Sequence, residues 1–331
     1  MARLTSVIAA LAAIAVLAGC GSSSGTPLQQ NASLVLDFTP NAIHAGIYSA
    51  IARGFDDGEG VHLHVIAPTA STDSTKLLTT GRADFAILDI HDLALARERG
   101  KDLVGVMAIV ERPLASVIAA PAIRSPRQLQ GQTVGVTGAP SDTAVLDSVV
   151  SGAGGDPRQV KTVTIGFNAV AALLSGRVKA ATAFWNDEGV TLRRQRPGYH
   201  VFRVDSYGAP AYPELVLCAT RATIDENPSL VHGVVRALVR GYGVTLTDPE
   251  GSEANLESKV PGLDSKLVNA ELSAVEPSLQ TNGGQFGALV PSVLRAWARW
   301  ELRFGIVRRL PDVSRAFDDQ FVAGTEGLIG S

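Results

Sequence analysis

An α/β fold built as two lobes is predicted by three features of the chain. Short apolar runs ended by polar turn residues alternate with segments whose apolar residues recur at helical spacing, the order expected of βαβ units. That strand-loop-helix order opens at residues 34–53 and returns at residues 132–143. With 331 residues, 46% of them hydrophobic and 18% charged, there is apolar material for a sizeable core in two lobes. The formal net charge of -3 gives no support for nucleic-acid binding, which normally leaves a basic patch. Arg193, Arg194 and Arg196 form the densest basic run and read as a solvated helix end.

Arg3, an apolar run over residues 7–17 and then Leu17-Ala18-Gly19-Cys20 form the pattern of an export signal rather than of the fold. The run is too short for a convincing bilayer span. A small-residue signal end followed directly by Cys resembles a bacterial lipobox. Residues 1–20 are therefore expected as a lipoprotein signal with Cys20 as the lipidated residue, and 21–32 as a flexible tether. The lipid, a palmitate-type anchor, would hold the protein on the extracytoplasmic face of the cell membrane. The other cysteine, Cys218, lies in the apolar run 215–219 and is expected to be a small buried hydrophobe. Two cysteines build neither a disulfide framework nor a cysteine zinc site.

In the mature chain, residues 34–36 predict a buried strand. Asp37, Thr39, Pro40 and Asn41 break it, and Ile43, Ile47, Ala50 and Ile51 give an amphipathic helix. Residues 61–66 predict the next strand, in which His62 and His64 share a face. Without a third ligand nearby they read as an exposed face or edge, not a metal pair. Residues 71–75 cap a helix through Leu78, and residues 83–87 start a strand that ends in Asp89-Ile90-His91-Asp92, ahead of a helix at 93–99. A strand at 104–110 follows, and residues 116–120 are apolar again. Residues 132–136 predict a strand that feeds the loop Gly138, Ala139, Pro140, Ser141, Asp142, Thr143 into a helix, a loop that aims N–H groups at a ligand or simply caps. Further on come a strand ending near 165, a helix at 169–174, the segment Phe184-Trp185-Asn186-Asp187-Glu188-Gly189, a Gly/Pro-rich stretch to Pro213 and the apolar run 215–219. Helices are predicted at 227–247, 266–276 and 291–304. Trp297 and Trp300, three apart on one face, point to packing.

Several of these segments resemble one family. Leu36, Asp37, Thr39, Pro40, Asn41, His44, Gly46 and Tyr48 match the opening motif of bacterial solute-binding proteins for thiamine-pyrimidine precursors and riboflavin, relatives of the fungal thiamine pyrimidine synthases. Phe38 stands where that motif usually has Trp. Gly81-Arg82-Ala83-Asp84-Phe85-Ala86, Pro113-Leu114, the Trp185 segment and Tyr212-Pro213-Glu214-Leu215-Val216-Leu217 resemble later landmarks of the same family. Phe184 replaces a residue that is often small, which alters pocket depth.

The resemblance implies a two-lobe periplasmic-binding-protein-like (type II) fold, two Rossmann-like lobes joined by a two-crossover hinge that closes on a ligand. Lobe I is expected at 33–116 and 214–325 and lobe II at 117–213. It further implies the solute-binding component of an ABC importer, a monomer that delivers a thiamine-precursor aminopyrimidine to a permease. No cofactor, metal or nucleic acid is implied.

The ligand-binding residues expected are Asp37, Phe38, Asn41, His44, Asp89, His91, Ser141, Asp142, Trp185, Asn186, Glu188, Tyr212 and Glu214. Phe38, Trp185 and Tyr212 offer stacking faces. Asp37, Glu188 and Glu214 accept from ring amino groups, and Asn186 both donates and accepts. Converging carboxylates disfavour nitrate, taurine and sulfonates. Riboflavin, whose fused ring needs a longer pocket, is the alternative ligand. An enzyme is disfavoured by the lack of a cysteine cluster and by export, and a surface sensor is the third alternative.

Overall fold

A computed structural model of the protein describes residues 29–279 and 284–329. The signal and lipidation expectation, Cys20 included, falls on residues outside that set. Two five-stranded sheets carry the fold. The first consists of β1 (Gln30–Val35), β2 (Val61–Ile66), β3 (Phe85–Asp89), β4 (Leu103–Ala108) and β10 (Leu215–Thr220), in the order β2-β1-β3-β10-β4. The second consists of β5 (Ala115–Ala119), β6 (Thr133–Val136), β7 (Lys161–Thr164), β8 (Ala180–Phe184) and β9 (His200–Arg203), in the order β7-β6-β8-β5-β9. In each sheet one strand from across the crossover runs against the parallel set. β10 is antiparallel to β3 and β4, and β5 is antiparallel to β8 and β9.

The chain passes from the first sheet to the second between β4 and β5, and returns between β9 and β10. The structural neighbour described below shares this two-lobe architecture. The apolar run expected as a single strand at 104–110 stops at Ala108, because the next residues turn into the outward passage. β1 begins at Gln30, before the apolar residues that signal it, since pairing with β2 extends through polar Asn31 and Ser33. His62 and His64 are exposed on β2, which is an edge strand. Cys218 is buried in β10 and burial pushes its thiol up, as befits an unreactive core residue.

Helices flank both sheets: α1 (Ala45–Ala52), α2 (Phe55–Gly58), α3 (Asp73–Thr79), α4 (Ile90–Glu98), α5 (Asp142–Gly152), α6 (Ala169–Leu174) and α7 (Glu188–Gln195) connect strands. After β10 come α8 (Arg221–Glu226), α9 (Pro228–Thr247), α10 (Pro249–Lys259), α11 (Ser265–Leu279), α12 (Pro291–Arg303) and α13 (Val313–Ala316). Leu230, Val231, Val234, Val235, Leu238 and Val239 of α9 recur at helical spacing and pack in one core with Leu34, Leu63 and Phe85 of the first sheet. α9 also lies very close to α1: a Cβ on Gly241 would stand 2.0 Å from the Gly46 carbonyl oxygen. Backbone contact of this kind needs glycine, and it locks the opening helix in place. Trp297 and Trp300 are buried on α12, both against His91 of α4, and Trp300 also against Tyr212. Among the described residues no helix is long and apolar enough to cross a membrane.

Candidate binding site: a carboxylate-lined cavity

The segments after β1, β2, β3, β6, β7 and β8 converge on a cavity of about 100 Å3. This is the carboxyl end of the parallel strands, where open α/β sheets place their ligands. Asp37 and Phe38 follow β1, Asp89 and Asp92 flank the start of α4, and Ser71, Ser74 and Thr75 lead into and along α3. From the second sheet come Ser116, Thr137, Ser141, Asp142, Phe167, Thr182, Phe184 and Glu188. Phe38 and Phe167 meet across the cavity with ring centroids 4.4 Å apart and planes at 66°. No Lys, Arg or His is present among the described lining residues.

Six residues expected at the site line this cavity: Asp37, Phe38, Asp89, Ser141, Asp142 and Glu188. The other expected residues lie off its wall. Asn41 caps the short turn leading into α1, its Oδ1 accepting from the Ile43 N–H at 3.0 Å, and its Nδ2 reaches Asp187 Oδ2 at 2.7 Å. His44 Nδ1 accepts from the Asn41 N–H at 3.2 Å, so Nε2 carries the proton donated to Asp37 Oδ1 at 2.9 Å. These two residues therefore fix the loop and orient Asp37.

Trp185 offers no open face. It is buried in the core, its Nε1 donates to the Pro113 carbonyl at 3.0 Å, and the Arg203 guanidinium sits 4.3 Å over its ring. Asn186 is buried beside it. Tyr212, His91 and Glu214 are wholly buried behind the cavity. Glu214 Oε2 accepts from the N–H groups of Leu114 and Ala115, at 2.6 and 2.8 Å. Lining residues outside the expected set include Phe167, next to the turn glycine Gly166 (φ 58), and Asp92. Phe184, expected only as a modifier of depth, is a wall residue.

Residues 41–252 match the family described as NMT1/THI5 like. The chain belongs to the NMT1/THI5-like family. The formylaminopyrimidine-binding protein of Halalkalibacterium halodurans is 31% identical over 291 residues, covering 85% of this chain and 88% of that protein. The riboflavin-binding protein RibY of Chloroflexus aurantiacus is 27% identical, covering 90% and 88% of the two chains. A 4-amino-5-hydroxymethyl-2-methylpyrimidine phosphate synthase of Legionella pneumophila is 24% identical, covering 90% and 94%. Among solved structures, the alkanesulfonate-binding protein SsuA of Xanthomonas axonopodis pv. citri bound to MOPS superposes with a TM-score of 0.70 at 18% identity, covering 89% of this chain and all of that one (100%). The two-lobe periplasmic-binding-protein fold is thus shared with that neighbour.

Behind the cavity of this NMT1/THI5-like chain lies a buried ionic group. His91 Nε2 is 3.0 Å from the Tyr212 hydroxyl, 3.7 Å from Glu214 Oε1 and 4.0 Å from Asp89 Oδ1, and its Nδ1 contacts Glu301. Burial alone lowers the His91 pKa, but the surrounding carboxylates of Glu301, Asp89 and Glu214 outweigh it and raise it to about 10. The Asp89, His91 and Glu214 ligand atoms lie within 4.8 Å of one another. Because both His91 ring nitrogens already have protein partners, the cluster is a charge network rather than a metal centre.

Burial also raises carboxyls around the site: Asp187 to about 6, and Glu188 and Glu271 to about 8. The folded chain therefore holds protons that the unfolded chain releases, and stability falls as pH rises. His91 contributes stability that is complete below its ordinary value of 6.5 and is lost as pH climbs through about 10. The raised carboxyls add a cost that grows from their ordinary values up to about 8. The urea midpoint is expected to be higher at about pH 5 than at about pH 9, with a smaller difference in His91→Gln. A midpoint that rises with pH would contradict these assignments.

Proposed function

We propose that the protein is the solute-binding component of an ABC importer and takes up an unphosphorylated aminopyrimidine of the thiamine-precursor class. The observation that carries this reading is a small cavity with aromatic walls and several carboxylates but no cationic side chain among its described lining. Phe38, Phe167 and Phe184 supply faces for a planar ring, and carboxylates accept from exocyclic amino groups. A cavity of about 150 Å3 holds a single benzene ring. The volume of about 100 Å3 is thus on the scale of one ring, not of a flavin with its side chain. An anion would meet carboxylates without a compensating charge, which separates this site from a sulfonate or nitrate site.

The 31% identity to a formylaminopyrimidine-binding protein supports the same ligand class. The chain would act as a monomer, anchored outside the cytoplasmic membrane through Cys20, and would present its closed, loaded form to a permease. In this reading it carries no catalytic residue and no cofactor. Thermal-shift measurements on purified, unlipidated protein test the proposal. Addition of 4-amino-5-hydroxymethyl-2-methylpyrimidine at one hundred times its Kd is expected to stabilise by about 2.7 kcal/mol. Riboflavin, taurine and nitrate are expected to leave the midpoint unchanged. A shift with taurine or nitrate alone would overturn the reading, and a shift with riboflavin alone would move it to a flavin carrier.

A further inference from the structure

Asp92 is the third residue of α4, a position where a carboxylate is ordinary because it faces the positive end of the helix dipole. Two facts go beyond that role. The residue lines the cavity and is only 8% exposed, with Oδ1 buried and lacking any hydrogen-bond partner. Asp142, which approaches from the start of α5 in the other half, is different. Its Oδ2 accepts from Thr137 Oγ1 at 2.7 Å, Gly138 N at 2.8 Å and Ala139 N at 3.1 Å, and its Oδ1 from Thr182 Oγ1 at 3.2 Å. Asp142 is consumed by its own loop and by Thr182 of β8, whereas Asp92 keeps one acceptor, Oδ1, without a partner.

Leaving a buried acceptor bare costs about 1 to 3 kcal/mol, and the great majority of buried polar atoms in native proteins find a partner. We propose that Asp92 is the specificity-determining acceptor of the cavity. Its Oδ1 takes a hydrogen bond from an amino group or protonated ring nitrogen of the bound heterocycle, and a phosphorylated ligand is rejected. This inference rests on the aminopyrimidine reading and adds which atom reads the amino edge.

The environment supports the assignment. Burial raises the Asp92 carboxyl to about 6, hydrogen bonding from the Ser141 side chain and backbone pulls it down, the negative charge of Asp142 pushes it up and His91 lowers it, so that Oδ1 is the oxygen left for a ligand. Asp89, at the cap of the same helix, is a further carboxylate close by. A donor placed against Asp92 relieves the repulsion between Asp92 and Asp142, which belong to opposite halves, so ligand binding and closure favour each other. A phosphate in the same place would add negative charge where no cation faces it.

Calorimetric titration with 4-amino-5-hydroxymethyl-2-methylpyrimidine and with its phosphate ester decides the matter. The wild-type protein is expected to bind the free alcohol and to bind the ester at least about tenfold more weakly, a comparison that needs no variant. Asp92→Asn is expected to weaken binding of the alcohol by roughly 10- to 100-fold, while the thermal midpoint of the unliganded protein stays level or rises. Full affinity in a folded Asp92→Asn variant overturns the role of Asp92 while leaving the aminopyrimidine reading intact, whereas equal affinity for alcohol and ester overturns that role together with the restriction to an unphosphorylated ligand. Absence of binding of either compound to the wild-type protein instead overturns that reading, and this inference with it.

Discussion

Glu214→Ala is expected to lose about 3 to 5 kcal/mol of unfolding free energy, as when one partner of a buried charged network is removed. The Glu214 side chain is wholly buried on the returning passage, and one of its oxygens holds the N–H groups of Leu114 and Ala115 on the outward passage. This single carboxylate therefore laces together the two stretches by which the chain changes sheets. Truncation leaves two buried donors unpaired and removes one of the carboxylates that balance His91. Since domains are stable by only about 5 to 15 kcal/mol, a loss of this size would be plain in a urea titration. Glu214→Gln keeps an acceptor for those N–H groups and should fall between wild type and Ala. A change below about 1 kcal/mol in the Ala variant would show that the passages are held some other way.

Trp185→Ala is expected to cost about 3 to 5 kcal/mol, the range for deleting a large aromatic side chain from a core. Its ring belongs to the core of the first sheet, beneath the Arg203 guanidinium, and its N–H satisfies the Pro113 carbonyl. The loss should appear in unfolding of the unliganded protein. Trp185→Phe fills much of the space and should cost less, with the Pro113 carbonyl left as the main deficit. A wild-type unfolding midpoint in the Ala variant would contradict the core-packing role of Trp185.

Trp185 marks where the sequence stops being legible. Apolar runs and helical spacing place the strands and helices, and polar breaks after β1, β3 and β6 mark loops that do meet at one cavity. Adjacent residues leaving a strand point to opposite sides, however, and nothing in Phe184-Trp185 says which aromatic turns inward. In the structure Phe184 faces the cavity and Trp185 the core. The same limit applies to Asp89-Ile90-His91-Asp92. Residues three apart share a face at a helix start, so Asp89 and Asp92 line the wall, while His91 turns back toward Glu301 and Tyr212.

Partners distant in sequence decide such questions. Glu301 lies 210 positions from His91 and Asp187 lies 146 from Asn41, and no local pattern in the chain records either contact. Phe167 escaped for another reason, since an aromatic in a Gly-Asn turn looks like any loop residue until its centroid is found 4.4 Å from that of Phe38. The substitution of Phe for the usual Trp at position 38 acquires a structural context there, because the smaller ring meets Phe167 edge-on.

The central claim, that the Phe38–Phe167 cavity takes a single amino-bearing ring, is tested most directly by titration calorimetry of wild type and Phe38→Ala with 4-amino-5-hydroxymethyl-2-methylpyrimidine. Saturable binding of one molecule per chain is expected in the wild type. Loss of a stacking face worth about 1 to 3 kcal/mol should weaken it by roughly 5- to 150-fold in a folded Phe38→Ala variant. Binding of the pyrimidine with undiminished affinity in that variant, or saturable binding of taurine with none of the pyrimidine, would contradict the claim.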